Sequence, residues 1–319
     1  MEDCRAGVQS LLNEIYGYEE FRNLEIYKDL TQSREKVSVS QGCLIEQVLQ
    51  EAEKEDGREI NNLLLTAPTG AGKSLLFQLP AIYLGRHHEW LTIVVSPLKA
   101  LIMDQVDGLK DMGYDKVAYA SSDLSPEQKS DVYRQVREGE VDLFYLSPEL
   151  LLSYDIRYFV GNRHIGLVVV DEAHTVTTWG KEFRVDYWFL GRYLSTLKHT
   201  LGYNFPIFAL TATAVWNPAG GNDMVFETIR SLQMEPCTCY VGTVKRKNIA
   251  FDIRSMDIEE GETYDKAKQR VVSDRIKQCL TGHKTLLYYP FAGGIDMRLK
   301  TWVQPSDWKW VASYYGKKE

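Results

Sequence analysis

The sequence has little cysteine, and what it has cannot build a zinc module or a disulfide scaffold. Cys4, Cys43, Cys237, Cys239 and Cys279 form an odd, scattered set with no pair of Cys-x-x-Cys units. Cys237 and Cys239 flank one residue, a spacing that alternation along a strand explains better than metal binding. No apolar run approaches the roughly 20 residues that cross a bilayer, and the start Met1-Glu2-Asp3-Cys4-Arg5 carries no secretory pattern. The expectation is therefore a soluble, intracellular chain without a membrane partner, in the cytoplasm (nucleoid) or the nucleus. An excess of positive charge is also missing: 37 Lys and Arg against 44 Asp and Glu give a net charge of −7, which argues against a generally basic nucleic-acid coat, though not against a local basic groove. Internal repeats and low-complexity tracts are missing too.

What is present is a phosphate-binding loop. The run Ala67-Pro68-Thr69-Gly70-Ala71-Gly72-Lys73-Ser74 stands directly behind the apolar stretch Leu63-Leu64-Leu65. Glycines at 70 and 72 let consecutive N–H groups turn inward around an anion, Lys73 can reach β and γ phosphates, and Ser74 can hold Mg²⁺. Leu75, Leu76, Leu79 and Ile82 recur at helical spacing, which puts a helix N-terminus under the phosphates. Ala67 replaces the usual first glycine, the one departure from the pattern.

At 319 residues and 44% hydrophobic, the chain can bury one or two cores. Apolar runs alternate with helical patterns as in a parallel α/β sheet covered on two sides. Strands are expected at Asn62–Ala67, Leu91–Ser96, Lys116–Ala120, Asp142–Leu146, Leu167–Asp171 and Ile207–Thr211. Helices are expected at Lys73–Leu84, Lys99–Met112, Pro126–Glu138, Phe183–Leu197 and Asn222–Leu232. Residues 1–40, mixed polar and aromatic, read as helical in part. From about Val244 a second unit starts, with an amphipathic helix carrying Val272, Ile276 and Leu280 on one face and a strand at Thr285–Tyr289.

A second constellation is Leu167-Val168-Val169-Val170-Asp171-Glu172-Ala173-His174. A buried strand ending in two carboxylates delivers them to the sheet edge where the phosphate loop also opens. Asp171 can hold Mg²⁺ through water there, and Glu172 can orient or deprotonate the water attacking a γ-phosphate. Read alone, such a pair is equally a solvated turn. A third is Ala209-Leu210-Thr211-Ala212-Thr213-Ala214, whose hydroxyls can bond nearby acids or serve only as turn chemistry.

Taken in order, Ala67 to Ser74, Val94-Val95-Ser96-Pro97-Leu98-Lys99-Ala100-Leu101 with Asp104-Gln105-Val106, Tyr145-Leu146-Ser147-Pro148-Glu149, Asp171-Glu172-Ala173-His174 and Thr211-Ala212-Thr213 resemble superfamily 2 helicases. Trp179-Gly180-Lys181-Glu182-Phe183-Arg184 resembles the aromatic-rich loop of the RecQ branch, and Lys247-Asn248-Ile249 and Leu286-Leu287-Tyr288-Tyr289 resemble the entry to a second motor lobe. The resemblance implies a RecA-like P-loop lobe over residues 41–243, an N-terminal extension over 1–40, and a linker plus an incomplete second RecA-like lobe over 244–319. It implies ATP and Mg²⁺ as cofactors, with Thr69, Gly70, Ala71, Gly72, Lys73 and Ser74 binding phosphate and metal, Asp171 supporting the metal and Glu172 activating water. His174, Thr211 and Thr213 would link nucleotide state to the nucleic-acid track. Single-stranded or partially duplex DNA is the implied partner, met by Ser96, Lys99 and Ser147 at helix starts and by Trp179, Phe183 and Arg184. Core packing is the competing role for the two aromatics.

In RecQ enzymes a Phe-Arg pair and then a glutamine read adenine. Phe21-Arg22 echoes the pair, Glu25 stands near where the glutamine is expected, and Gln41, opening an apolar helix, is the residue chosen for that role. An exposed glutamine without a role is the alternative. After Tyr289 the chain runs through Gly293-Gly294 and Trp302 to Glu319 with no late arginine motif, zinc module or winged helix. The expectation is binding of ATP with slow turnover and no unwinding, the missing lobe coming from a partner protein or a further C-terminal segment. Trp302, Trp308 and Trp310 are expected to be exposed where that lobe is missing. A DEAH-type RNA helicase and a nucleotide-binding scaffold without motor activity are the alternatives.

Overall fold

A computed structural model describes residues 4–30, 35–178, 185–214, 223–243, 249–253, 255–279, 284–288 and 294–313. The chain divides into two compact units, residues 1–246 and 247–319. In the first, α1 (Ala6–Tyr16) is followed by a hairpin of β1 (Asn23–Tyr27) and β2 (Lys36–Ser40), then α2 (Gln41–Ala52). Strand and helix alternate from there: β3 (Asn62–Thr66), α3 (Lys73–His88), β4 (Leu91–Val95), α4 (Lys99–Asp111), β5 (Val117–Ala120), α5 (Pro126–Glu138) and β6 (Leu143–Leu146). Short α6 (Pro148–Ser153) and α7 (Ile156–Val160) lead to β7 (Ile165–Val170) and α8 (Thr175–Thr178). The unit closes with α9 (Val185–Leu201), β8 (Ile207–Thr211), α10 (Met224–Ser231) and β9 (Cys237–Val241). The six expected strands and five expected helices form, with ends shifted by a few residues; the starts of the helices expected from Phe183 and Asn222 lie outside the described residues.

The sheet has seven strands in the order β5-β6-β4-β7-β8-β3-β9, every pair parallel. Its strands are apolar at successive positions because both faces are covered. Leu63, Leu65, Val94, Leu167, Val169, Phe208 and Leu210 point into one core, and Leu64, Ile93, Val95, Val168, Val170, Ile207 and Ala209 into the other. α3 is buried nearly all round, from Leu75 through Gly85, since it lies in a core shared with α1 and α2. Arg5 ties α1 to α2 through Glu46 at 2.7 Å and Glu53 at 2.8 Å. Residues 6–40 thus supply Val8, Leu11, Leu12, Ile15, Leu24, Ile26 and Val39 to the same core as the sheet. The hairpin has no counterpart in the sequence reading. Its strands are held partly by tertiary pairing, with Ile26 bridging Gly242 just past β9.

The second unit contains α11 (Tyr264–Cys279), α12 (Ile295–Trp302) and a 3₁₀ turn, Pro305–Trp310. Val272 and Ile276 on α11 are half-buried, and Leu280 lies outside the described residues. The strand expected at Thr285–Tyr289 does not form over residues 284–288; Leu286 and Tyr288 are 75% and 84% exposed there. A lone apolar stretch has no neighbour to satisfy its backbone groups, so β propensity alone does not make it a strand. Tyr289 is outside the described residues. Trp302 is buried at 8% exposure, correcting the expectation for that residue, whereas Trp308 and Trp310 are exposed. The end of α12 draws Trp302 inward beside the buried Val303, whose carbonyl accepts from Trp308 Nε1 at 3.2 Å.

One contact sets the closeness of two helices. A Cβ at Gly191 on α9 would meet the Ser231 carbonyl oxygen at 2.1 Å and the Leu232 backbone at 2.7 Å. Gly191→Ala should therefore cost about 1–3 kcal/mol of unfolding free energy, read as a lower urea midpoint. Gly108→Ala on α4, where the added methyl meets nothing within 4 Å, should be neutral or stabilising by up to about 1 kcal/mol.

Candidate functional site

The carboxyl ends of β3, β8, β7 and β4 are adjacent, and hydrogen bonds continue past them into the loops that carry the singled-out residues. Ala67 N donates to Thr211 O at 3.0 Å, Ala173 N to Leu210 O at 2.9 Å, Asp171 N to Val95 O at 2.9 Å and Ser96 N to Leu146 O at 3.1 Å. The phosphate loop, acidic box and threonine motif are thus fixed to one another through backbone rather than by long side chains. Gly70 and Gly72 have φ of +84° and +76°, the left-handed region that a side chain resists. Ala67 lies outside that region and is 2% exposed, which explains why alanine serves in place of the first glycine. Lys73 and Ser74 open α3, with Thr69 and Gly70 exposed ahead of them. Lys73 Nζ donates to the Ala67 and Pro68 carbonyls at 3.2 and 3.4 Å. Burial lowers its pKa, while the charges of Glu172 and Asp171 act in the opposite direction.

Gln41 is 2% exposed, which overturns the alternative of an exposed, idle glutamine. Its Nε2 donates to the Ala71 carbonyl of the phosphate loop at 2.9 Å, and its Oε1 accepts from Arg22 N at 3.2 Å. Arg22 O in turn accepts from Gln41 N at 2.9 Å. Glycine is required opposite: a Cβ on Gly72 would approach Gln41 Nε2 to 2.7 Å. Gln41 clamps the loop, and the Arg22 backbone clamps Gln41.

Asp171 is 6% exposed at the end of β7, with Oδ1 accepting from Glu172 N at 2.9 Å and Oδ2 from Gln105 Nε2 at 3.3 Å. Burial, then the neighbouring Glu172 charge, pushes its pKa up. Glu172 behaves oppositely: a bond to His174 holds it below the usual range. Its φ of +48° is unusual outside glycine and costs about 1–3 kcal/mol, a strain typical of functional turns. His174 Nδ1 lies 3.3 Å from Glu172 Oε2 and 3.0 Å from Thr211 Oγ1, and Thr213 N donates to that same hydroxyl at 3.2 Å. Gln105, which in the sequence is only the middle of Asp104-Gln105-Val106, is thus a partner of Asp171. Its signal would have been the helical register of α4, which carries it back over the sheet edge.

Ser96 is fully buried, and Ser147 Oγ caps α6 by accepting from Leu150 N at 3.3 Å. Lys99, first residue of α4, is ion-paired with Asp123 beyond β5. These lie along β4, β6 and β5, on the same edge as the phosphate loop. Trp179, Phe183 and Arg184 lie outside the described residues.

The loop and acidic pair suit a magnesium nucleotide. The loop turns at Gly70 and Gly72 through positive φ, the conformation that aims successive N–H groups at an anion, and a buried carboxylate with a raised pKa is the kind of ligand a cation restores to its charged form. Among the described residues no three His, Cys, Asp or Glu side chains converge. Magnesium typically takes only one or two protein oxygens and shares the rest with phosphates and water, so Ser74 and Asp171 suffice.

The family model for DEAD/DEAH box helicases matches residues 41–219. The chain is 32% identical over 247 residues to the ATP-dependent DNA helicase RecQ of Bacillus subtilis, covering 77% of this chain and 35% of that one. It is 35% identical over 190 residues to RecQ of Pasteurella multocida, covering 60% and 28%. Against the ATP-dependent DNA helicase Q5 of Mus musculus it is 32% identical over 262 residues, covering 80% and 23%. The chain therefore spans about a quarter to a third of the length of these relatives. In fold it is similar to the helicase MrfA, with a TM-score of 0.62 at 18% identity over 99% of this chain and 43% of that one.

Gln41→Ala strips partners from a loop carbonyl and from Arg22 N. The expected cost is about 1–3 kcal/mol in urea unfolding, with faster amide exchange at Gly70 to Gly72.

Proposed function

The chain belongs to the DEAD/DEAH box helicase family, and on that premise we propose that it is a RecQ-type, ATP-dependent DNA helicase motor. The observation that carries the reading is the convergence of Lys73, the Asp171-Glu172 pair and the His174-Thr211 link on one edge of the parallel sheet. Bound Mg²⁺-ATP supplies the anhydride bond to be broken and withdraws charge from its phosphates. The N–H groups of Gly70 to Gly72 and the start of α3 would receive the phosphates, with Lys73 leaving its loop carbonyls to meet them. Ser74 and Asp171 would hold the metal. Glu172, kept ionised by His174, would take the proton of the attacking water.

His174 touches both Glu172 and Thr211, so a change at the γ-phosphate would move the Thr211-Ala212-Thr213 turn. Lys99 and Ser147, at the starts of α4 and α6, would meet the backbone of single-stranded or partially duplex DNA, whereas Ser96, expected to join them, is fully buried and cannot reach it. Trp179, Phe183 and Arg184 would complete that track, and polarity would be 3′ to 5′ by resemblance. Turnover by these 319 residues alone would be slow unless a partner or a further segment supplies a cation to the phosphates. Such a cation is worth about 10³ to 10⁵ in rate in GTPases. Gln41 would read adenine through the amide that also grips the loop.

Lys73→Ala should abolish binding of a fluorescent ATP analogue, and Glu172→Gln should bind it normally while losing hydrolysis by about 10²-fold or more. A steady-state ATPase assay with single-stranded DNA and with RNA decides the substrate. Preferential stimulation by RNA would overturn the DNA reading, and rapid DNA-stimulated turnover would overturn the slow one. Gln41→Ala should narrow the preference for adenine over guanine nucleotides in the same binding assay; an unaltered preference removes its base-reading role.

A further inference from the structure

None of these roles uses Gln105. It follows the buried Ile102 by three residues and precedes the buried Leu109 by four, so it stands on the side of α4 that turns toward the sheet. An apolar residue there would continue the buried stripe. The amide instead reaches across the strand ends, and its Nε2 donates to Asp171 Oδ2 at 3.3 Å. Its Oε1 is buried with no hydrogen-bond partner among the described residues, and so is the Ser96 hydroxyl at the end of β4. Both belong to segments that meet Asp171, Ser96 through the preceding Val95, whose carbonyl accepts from Asp171 N at 2.9 Å. Buried acceptors left without a partner lower stability, so packing gives no reason for an amide at this position. Methionine would fill nearly the same volume without that cost.

Among the described residues two donors reach the Asp171 carboxylate. Glu172 N reaches Oδ1 at 2.9 Å from within the same turn. A carboxylate anchored through one oxygen still swings about its Cβ–Cγ bond, whose torsional wells are broad. A donor on the opposite oxygen fixes the plane of the group. Gln105 supplies it from a helix that is itself fixed, since Ile102, Val106 and Leu109 seat α4 in the core. The sense of the amide is set as well: reversed, it would aim Oε1 at an ionised carboxylate, which only accepts.

We propose that Gln105 is a positioning residue for the metal: Nε2 holds the Asp171 carboxylate in the plane that receives the cation, and the spare Oε1 accepts from water that the cation carries. The inference rests on the reading of Asp171 as the magnesium support. Magnesium keeps several of its waters when bound, and each of them needs acceptors. Partners that orient a metal-binding carboxylate are typically worth about 10- to 100-fold in metal affinity.

The test uses the full chain and a fluorescent, nonhydrolysable ATP analogue, with binding followed during a Mg²⁺ titration and Asp171→Asn as the reference. Gln105→Met should raise the Mg²⁺ midpoint about tenfold. Gln105→Leu, which also lacks the amide, should do the same, so that a folding defect peculiar to one variant does not decide the outcome. Added to Asp171→Asn, Gln105→Met should have no further effect, since it acts through that carboxylate. Midpoints within about twofold of the unaltered protein for both Gln105 variants, or an effect that persists undiminished on Asp171→Asn, overturn the positioning role while leaving Asp171 as the support. If Asp171→Asn itself leaves the midpoint unchanged, the reading of Asp171 fails and the role of Gln105 with it.

Discussion

The backbone hydrogen bonds that run on past the ends of the parallel strands are the constraint on which the site depends. A parallel ladder normally stops where strands diverge into loops. Here Ala67 bonds to Thr211, Ala173 to Leu210 and Asp171 to Val95, so the loops inherit the spacing of the sheet. Peptide groups are short and stiff compared with side chains. Phosphate loop, carboxylates and threonine turn therefore hold their relative positions before any ligand arrives. Preorganised dipoles and charges of this kind need little rearrangement during reaction, which is how such sites gain rate.

The two edges of the sheet are built for different ends. At the carboxyl edge, polar groups are strained or only partly offset: Glu172 sits at positive φ, Asp171 is buried with its pKa raised, and Lys73 rests on its own loop. At the amino edge the buried charge is surrounded. Asp142, 1% exposed, accepts from the Tyr114 hydroxyl at 2.8 Å and lies 3.7 Å from Arg163 and 3.8 Å from Lys116. Gly85 on α3 leaves the room for it, since a Cβ there would come within 2.4 Å of the carboxylate carbon. A buried ion with several partners locks the fold, whereas a buried ion with few is poised to take one.

Residues before the phosphate loop matter more than their composition suggests. α1 and the hairpin enlarge the core, but their second effect is local. They bring Arg22 to Gln41, whose amide bonds Ala71 of the phosphate loop, and Tyr16 to Gln78 in the core beneath it. Gln41 is confined from both sides, by Arg22 behind and by the Cα of Gly72 in front. Neither residue could be exchanged for a larger one without moving the phosphate loop.

Local pattern was enough for the alternating strands and helices of residues 62–232, because a sheet covered on both faces demands continuous apolar runs and each run is bounded by turn or cap chemistry. It was also enough to place Lys73, Asp171 and Glu172 just past strand ends on one edge of the sheet, which is where the structure has them. Sequence alone did not determine the hairpin of β1 and β2, the burial of Gln41 and Trp302, the role of Gln105, or the failure of residues 284–288 to form a strand. Apart from the burial of Trp302, each of those depends on a partner far away in the chain: Gly242 for Ile26, Ala71 for Gln41, Asp171 for Gln105, and a neighbouring strand for Leu286. Periodicity records which face a residue turns inward, whereas the group waiting on that face is decided only when distant segments pack.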